Sequence, residues 1–135
     1  MKTFNDFNFQ DLFVFDLANN HQGDIEHAKS IIKSISEINK IENLNGAIKF
    51  QFRELSSFIH KESRNSKDNK HIHRFLSTEL DREAFEKLST FSKKNGLKRI
   101  CTPFDEPSVD LIKELEFEAI KIASCSAKDW PLINK

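Results

Sequence analysis

Short apolar runs alternate with longer segments of helical spacing, and no other feature of this chain restricts its fold so much. Residues 12–15 (LFVF), 47–52 (AIKFQF), 97–101 (LKRIC) and 119–122 (AIKI) read as strands. Between the first two, residues 24–40 place Ile25, Ala28, Ile31, Ile32, Ile35 and Ile38 every three or four positions, the period of an amphipathic helix. Asp24 is its expected N-cap, with Glu26 adding negative charge to the first turn. Asn45-Gly46 then reads as a turn. A second helix is expected over residues 81–95, capped by Asp81, packed through Ala84, Phe85, Leu88 and Phe91, and closed by Asn95-Gly96. A third covers residues 107–115, with Asp105 or Glu106 at its cap and Val109, Leu111, Ile112 and Leu115 inward. Residues 130–133 begin a fourth. The polar stretch 60–73 reads as a long exposed loop, with room for a short helix.

This β-α-β-α-β-α-β order, with strands apolar on both faces, implies a parallel sheet with right-handed crossovers. A doubly wound sheet and a barrel both satisfy it. The first βα turn, residues 17–23, has one Gly and lacks the glycine-rich dinucleotide pattern, and no GxxxxGK[ST] loop occurs. Four βα units equal half of a (β/α)8 barrel.

Composition removes several functional classes. Twenty-one Lys plus Arg balance twenty-one Asp plus Glu, so no global charge favours nucleic acid or an acidic membrane. The basic stretch from Lys61 to Arg74 carries no aromatic stacking platform either. No run reaches the ~18 apolar residues of a membrane span. The first eleven residues carry one Lys and no apolar run, unlike a secretory signal. Cys101 and Cys125, both placed at strand ends without a CxxC spacing, suggest free thiols in a reducing cytoplasm. Thirteen Phe with no Tyr and one Trp assign the core volume to Phe.

The candidate chemistry gathers just after the strands, on the face where parallel α/β folds place their sites. Asp16 through Gln22 follow the first strand; Lys49, Gln51 and Arg53 lie in or after the second. Thr102, Asp105 and Glu106 follow the third; Lys121, Ser124 and Ser126 lie in or after the fourth. An unpaired ammonium within a buried strand costs several kcal/mol, so Lys49 and Lys121 call for a partner. That partner is Asp16, a bound anion, or, for a snorkelling side chain, water. Asp16 is open to two readings, general base and ion-pair partner. His21 reads as a hydrogen-bonded loop residue or a ligand. His71 and His73 have no acidic or thiol group at ligand spacing and read as surface residues. Cys125 reads as a bystander, since no general base is placed beside it.

These motifs resemble the sialic acid synthase family. Phe15-Asp16-Leu17-Ala18-Asn19-Asn20-His21-Gln22-Gly23 is similar to its first-strand signature, an acidic residue followed by an Asn-His-x-Gly turn. Ile48-Lys49-Phe50-Gln51, Cys101-Thr102-Pro103-Phe104-Asp105, and Lys121-Ile122-Ala123-Ser124 with Trp130-Pro131-Leu132-Ile133 resemble its second-, third- and fourth-strand elements. The likeness runs over about residues 12–134. It implies condensation of phosphoenolpyruvate with the aldehyde of an N-acylated amino sugar such as N-acetylmannosamine, with release of phosphate. Catalytic roles fall to Asp16, Lys49 and Lys121. The two lysines hold phosphoenolpyruvate charge, and Asp16 orients or activates water. Substrate contacts fall to Gln51, Arg53, Thr102, Ser124, Asn20 and His21. A divalent Mn²⁺ or Mg²⁺ would polarise the aldehyde. Its family ligands lie in the second half of the barrel, so no metal ligand is assigned within residues 1–135.

The resemblance also implies a cytoplasmic enzyme, a homodimer at full length. Residues 1–135 would be the N-terminal half of its barrel, truncated at the C-terminus, with open edges at strands one and four. Low stability and no turnover are expected of that half alone. Two departures stand out. Asp16 replaces the family Glu, and Cys125-Ser126 replaces Gly-Glu, so sugar identity does not carry over. Two alternatives remain: a non-catalytic α/β interaction domain on this scaffold, and another phosphoenolpyruvate-condensing barrel.

Overall fold

The computed structural model describes residues 7–64 and 69–135. Strand β1 (Leu12–Asp16) leads to helix α1 (Ile25–Ile41) and strand β2 (Asn45–Phe52). Two short helices follow, α2 (Leu55–Phe58) and α3 (Lys70–Ser77), then α4 (Arg82–Lys94). Strand β3 (Lys98–Pro103), helix α5 (Glu106–Glu114), strand β4 (Ala119–Ile120) and helix α6 (Trp130–Asn134) complete the chain. The four strands are parallel and lie in sequential order.

Helix starts follow local hydrogen-bond chemistry. The Asp24 carboxylate accepts from the N–H groups of Glu26 and His27, Asp81 from Ala84, and Asp105 from Ser108. Asp105, not Glu106, therefore caps α5. On one face of the sheet, Ile48, Phe50, Phe52 and Cys101 pack with Leu17, Ala28, Ile32, Leu88, Leu97 and Ile112 in the main core. Phe117 meets Phe50 and Phe52 edge-on, with ring centroids 5.5 Å apart in both pairs. Phe thus fills much of the core, although Phe9, Phe13 and Phe58 stay exposed. The Ser36 hydroxyl donates to the Asn95 carbonyl at 2.6 Å, tying α1 to the end of α4.

Arg99 projects from β3 towards the helices and is almost fully buried. Its guanidinium donates to Ser89 Oγ (2.7 Å), the Leu115 carbonyl (3.1 Å), the Glu116 carbonyl (2.7 Å) and both Glu118 carboxylate oxygens. One charge thereby ties β3 to α4 and to the α5–β4 turn.

Three expectations are corrected, and one is made specific. Asn45-Gly46 belongs to β2, and the turn falls earlier, with Asn43 at φ 50°. A Cβ on Gly46 would meet Asn39 and the Phe15 ring, so glycine here serves the close approach of α1 rather than a turn. The short helix allowed for in the polar stretch 60–73 is α3, which starts at Lys70 and is capped by the Asn69 side chain; residues 65–68 lie outside the described residues. Polar composition left its bounds unassigned, since its apolar positions are only Ile72, Phe75 and Leu76. Strand β4 has two residues rather than four. Cys125 lies exposed in a 3₁₀ turn over Ser124–Ser126 rather than at a strand end.

The outer edges of β1 and β4 have no strand partner among the described residues. Phe13 and Val14 on β1 and Ile120 on β4 are 51%, 46% and 44% exposed, large values for apolar strand residues.

Candidate active site

Strand register decides which predicted residues share a face. Asp16 stands beside Lys49, Lys49 beside Ile100, and Ile100 beside Ala119. One level further along the strands, Gln51 stands beside Thr102. The Lys121 N–H donates to the Cys101 carbonyl at 2.9 Å and continues the β3–β4 ladder past Ile120. Neighbours across a sheet point the same way and side chains alternate along each strand. Asp16, Lys49, Gln51, Thr102 and Lys121 therefore share the face opposite the helices, at the C-terminal ends of the strands. Two strand spacings and a two-residue rise put the Lys49 and Lys121 Cα atoms about 12 Å apart.

Lys49 Nζ and Asp16 Oδ2 form an ion pair at 2.9 Å. The Lys49 side chain is 11% exposed and the Asp16 side chain 51%, so water solvates the anion but hardly the cation. Of the partners open to Lys49, the structure provides the carboxylate. Lys121 is exposed and has no ion pair among the described residues. Thr102 Oγ1 is buried without a hydrogen-bond partner among the described residues. An orphaned hydroxyl at a strand end is a position for water or a ligand atom. Ser124 is exposed, while Ser126 of the same turn is buried.

The first βα turn builds the wall beside this row. The Leu17 and Ala18 N–H groups both donate to the Lys49 carbonyl, at 3.0 and 3.3 Å. The Asn20 amide donates to the Asp16 carbonyl at 3.1 Å, which holds the turn against the end of β1. His21 is buried, and its Nδ1 accepts the Gly23 N–H at 3.0 Å. Burial lowers its pKa below the ordinary value, so the neutral ring is favoured. Asn20 and His21, both predicted to contact substrate, thus also shape the turn. Gly23 has φ +78°, and a Cβ there would stand 3.0 Å from the Ser77 carbonyl at the end of α3.

A small cleft, open to solvent, lies between this turn and the segment after β2. His21, Gln51, Arg53, Phe75 and Glu79 are among its lining residues. Leu55, Ile59 and Ile72 form a second small core that carries Phe75. Arg53 lies with its guanidinium carbon 3.8 Å from the Phe104 ring centroid and 4.7 Å from that of Phe75. Its Nη2 donates to Gln51 Oε1 at 2.8 Å. Burial pulls its pKa below the ordinary value and Arg74 adds to the pull, whereas Cys125 and Asp105 oppose it. Buried Cys101 has its thiol pushed well up by the same desolvation and stays protonated.

Among the described residues, no three His, Cys, Asp or Glu side chains come together as a metal-ligand set. By themselves these residues do not fit a resident divalent ion. Among the same residues, no helix is long and apolar enough to cross a membrane.

Sequential parallel βα units with charged and polar groups at the strand C-termini define an α/β protein of the barrel-forming class, with its candidate site on that face. A sequence profile of the NeuB family matches residues 39–135. The chain belongs to the NeuB family, and its fold is four βα units of a (β/α)8-type barrel. It is 28% identical to an N,N'-diacetyllegionaminic acid synthase of Campylobacter jejuni, over 92% of this chain and 38% of the relative. Among solved structures, a Chromobacterium violaceum protein described as a candidate spore coat polysaccharide biosynthesis protein E is 46% identical, with a TM-score of 0.87, over 91% of this chain and 37% of that one. The N-acetylneuraminic acid (sialic acid) synthetase of Leptospira borgpetersenii, solved in complex with citrate, is 27% identical with a TM-score of 0.72, over 91% of this chain and 39% of that one. The chain spans a little over a third of the length of these relatives.

The sequence reading missed Arg99. Its signal was a charged residue inside an apolar strand run, the same signal that singled out Lys49 and Lys121. It differs by facing the helices.

Proposed function

We propose that this chain supplies the N-terminal part of a synthase site that condenses phosphoenolpyruvate with an N-acylated amino sugar of the N-acetylmannosamine type. Carbon 3 of phosphoenolpyruvate adds to the sugar aldehyde, water adds at carbon 2, and inorganic phosphate leaves. The observation that carries this reading is the shared face of Asp16, Lys49, Gln51, Thr102 and Lys121 at the strand C-termini. Membership in a family with sialic and legionaminic acid synthases supports it.

In this reading Lys121, exposed and without an ion pair among the described residues, attracts the phosphate or carboxylate of phosphoenolpyruvate. Ser124, three positions further on, donates a neutral hydrogen bond to the same group. Lys49 contributes positive potential from below while its ammonium stays on Asp16. Asp16, half in water and fixed by that ion pair, holds its free carboxylate lone pairs where an attacking water can be oriented. Gln51 meets the sugar and Thr102 Oγ1 finds the partner it lacks. Cytoplasmic location and a dimer of the whole enzyme belong to the same proposal.

Calorimetric titration with phosphoenolpyruvate tests the reading. Binding that weakens at least tenfold in Lys121→Ala, with the fold retained by circular dichroism, supports it. No detectable binding, or equal affinity in Lys121→Ala, refutes it.

A further inference from the structure

The proposed condensation uses Gln51 but leaves its neighbour Arg53 without a role. Arg53 Nη2 donates to Gln51 Oε1 at 2.8 Å. We infer that Arg53 is a positioning residue: it holds the oxygen of the Gln51 amide to itself and leaves the NH2 group for the cleft. Gln51 then selects an acceptor oxygen on the sugar and cannot receive a hydroxyl proton there. This rests on the reading of the strand C-terminal face as an amino-sugar site, to which it adds the polarity of one contact.

The two ends of a side-chain amide are alike in size, so hydrogen-bond chemistry decides which way it turns. A guanidinium carries donors only, and the Gln51 atom beside Nη2 is therefore the oxygen. The reversed amide would set one N–H against another. The cationic donor makes this bond roughly twice as strong as a neutral one, which holds the orientation. Among the described residues the Gln51 side-chain nitrogen donates to no acceptor, and it is not buried; it opens into the cleft that Gln51 and Arg53 both line. Thr102 stands beside Gln51 in the β2–β3 register, with its buried hydroxyl unpartnered among the described residues. Strands about 4.8 Å apart let one ligand oxygen accept from both the Gln51 N–H and the Thr102 O–H.

Arg53 is in turn held by its surroundings. Its guanidinium carbon lies 3.8 Å from the Phe104 ring centroid and 4.7 Å from that of Phe75. The Phe104 N–H donates to the Phe52 carbonyl at 3.1 Å, so one ring is fixed to the end of β2. The other ring belongs to α3 and packs on Leu55, Ile59 and Ile72. Asp105 does not compete for the guanidinium, because its oxygens accept the N–H groups of Glu54 and Ser108. Gln51 and Arg53 lie two residues apart on one extended line and project to the same side, which lets the longer side chain reach back to the amide.

Two readouts test the inference: titration calorimetry with N-acetylmannosamine, and the NMR signal of the Gln51 side-chain carbonyl carbon. Arg53→Met keeps the length of the side chain but donates nothing. It is expected to move the carbonyl signal upfield and to weaken sugar binding about three- to tenfold, since the freed amide must be ordered again on binding. Arg53→Lys, still a donor without an acceptor, restores the signal and keeps affinity within about threefold of wild type. Gln51→Glu keeps the contact with Arg53 but loses the NH2 donor, and weakens binding at least about tenfold. In a Gln51→Ala background, adding Arg53→Met changes affinity less than about twofold, because Arg53 acts through the amide alone. An unmoved carbonyl signal in Arg53→Met overturns the inference. So does additivity in the double variant, which would make Arg53 a direct sugar contact, and so does a wild type that binds no N-acetylmannosamine. Failure of the wild type to bind phosphoenolpyruvate refutes the condensation instead, and the carbonyl signal still reads the Arg53–Gln51 contact, so the two failures are distinct.

Discussion

Replacing Arg99 by Met removes one buried charge and keeps most of the side-chain volume. In the folded chain that guanidinium satisfies Ser89 Oγ, the carbonyls of Leu115 and Glu116, and the Glu118 carboxylate. The Arg99 side chain is 5% exposed, but that of Glu118 is 34% exposed, so water partly rescues the abandoned carboxylate. The carbonyls end a helix and a turn near the surface, and they too regain some water. Breaking a fully buried ion pair costs about 3–5 kcal/mol, and each buried acceptor left alone about 1–3 kcal/mol. With the solvent rescue, the net cost of Arg99→Met is about 3–4 kcal/mol, a large fraction of the ~5–15 kcal/mol that holds a domain of this kind. Urea unfolding followed by circular dichroism measures it as a fall in midpoint at unchanged slope. Glu118→Gln alone costs less, about 1–2 kcal/mol, since the neutral amide oxygen still accepts. A stability loss below about 1 kcal/mol for Arg99→Met would refute the reasoning, because apolar packing would then have replaced the network outright.

Two further outcomes follow from the site. Asp16→Ala strands the little-exposed Lys49 ammonium and destabilises by about 1–3 kcal/mol, whereas Lys49→Met leaves a half-solvated carboxylate and costs under about 1 kcal/mol; urea midpoints in the reverse order would contradict the assigned asymmetry. His21 has a folded-state pKa lowered by burial, so the unfolded chain takes up the extra proton first as pH falls below about 6.5. Its stability contribution is complete above that pH and is lost below it, by up to about 1.4 kcal/mol per pH unit from this one proton, until the folded-state pKa is passed. Thermal midpoints between pH 7.5 and 5 that fall equally in wild type and His21→Gln would show that another group titrates.

The chain's local chemistry was enough to locate most of its elements. Helix periods and side-chain caps act over three or four residues, so Asp24, Asp81 and Asp105 announce their helices without tertiary help. Strands dense in Ile and Phe, separated by helices, force parallel pairing because no short hairpin joins them. The gathering of Asp16, Lys49, Gln51, Thr102 and Lys121 at one sheet face was legible for the same reason, since strand ends in such a fold share a face. The bounds of helix α3 were not, because Ile72 and Phe75 make sense as a buried face only with Leu55 and Ile59 to pack against.

Tertiary structure alone decided the partners of the charges. Lys49 had Asp16, an anion and water open to it, and only the β1–β2 register brings the carboxylate within 2.9 Å. Arg99 and Lys49 look alike in sequence, both cations inside apolar strands, yet strand parity sends one towards the helices and the other to the open face. Arg53 gains its flanking rings from a helix and from a strand end distant in sequence. A side chain's neighbours within one turn are fixed by covalent geometry; its neighbours across the sheet are fixed by which surfaces must leave water together, and that is a property of the assembled core.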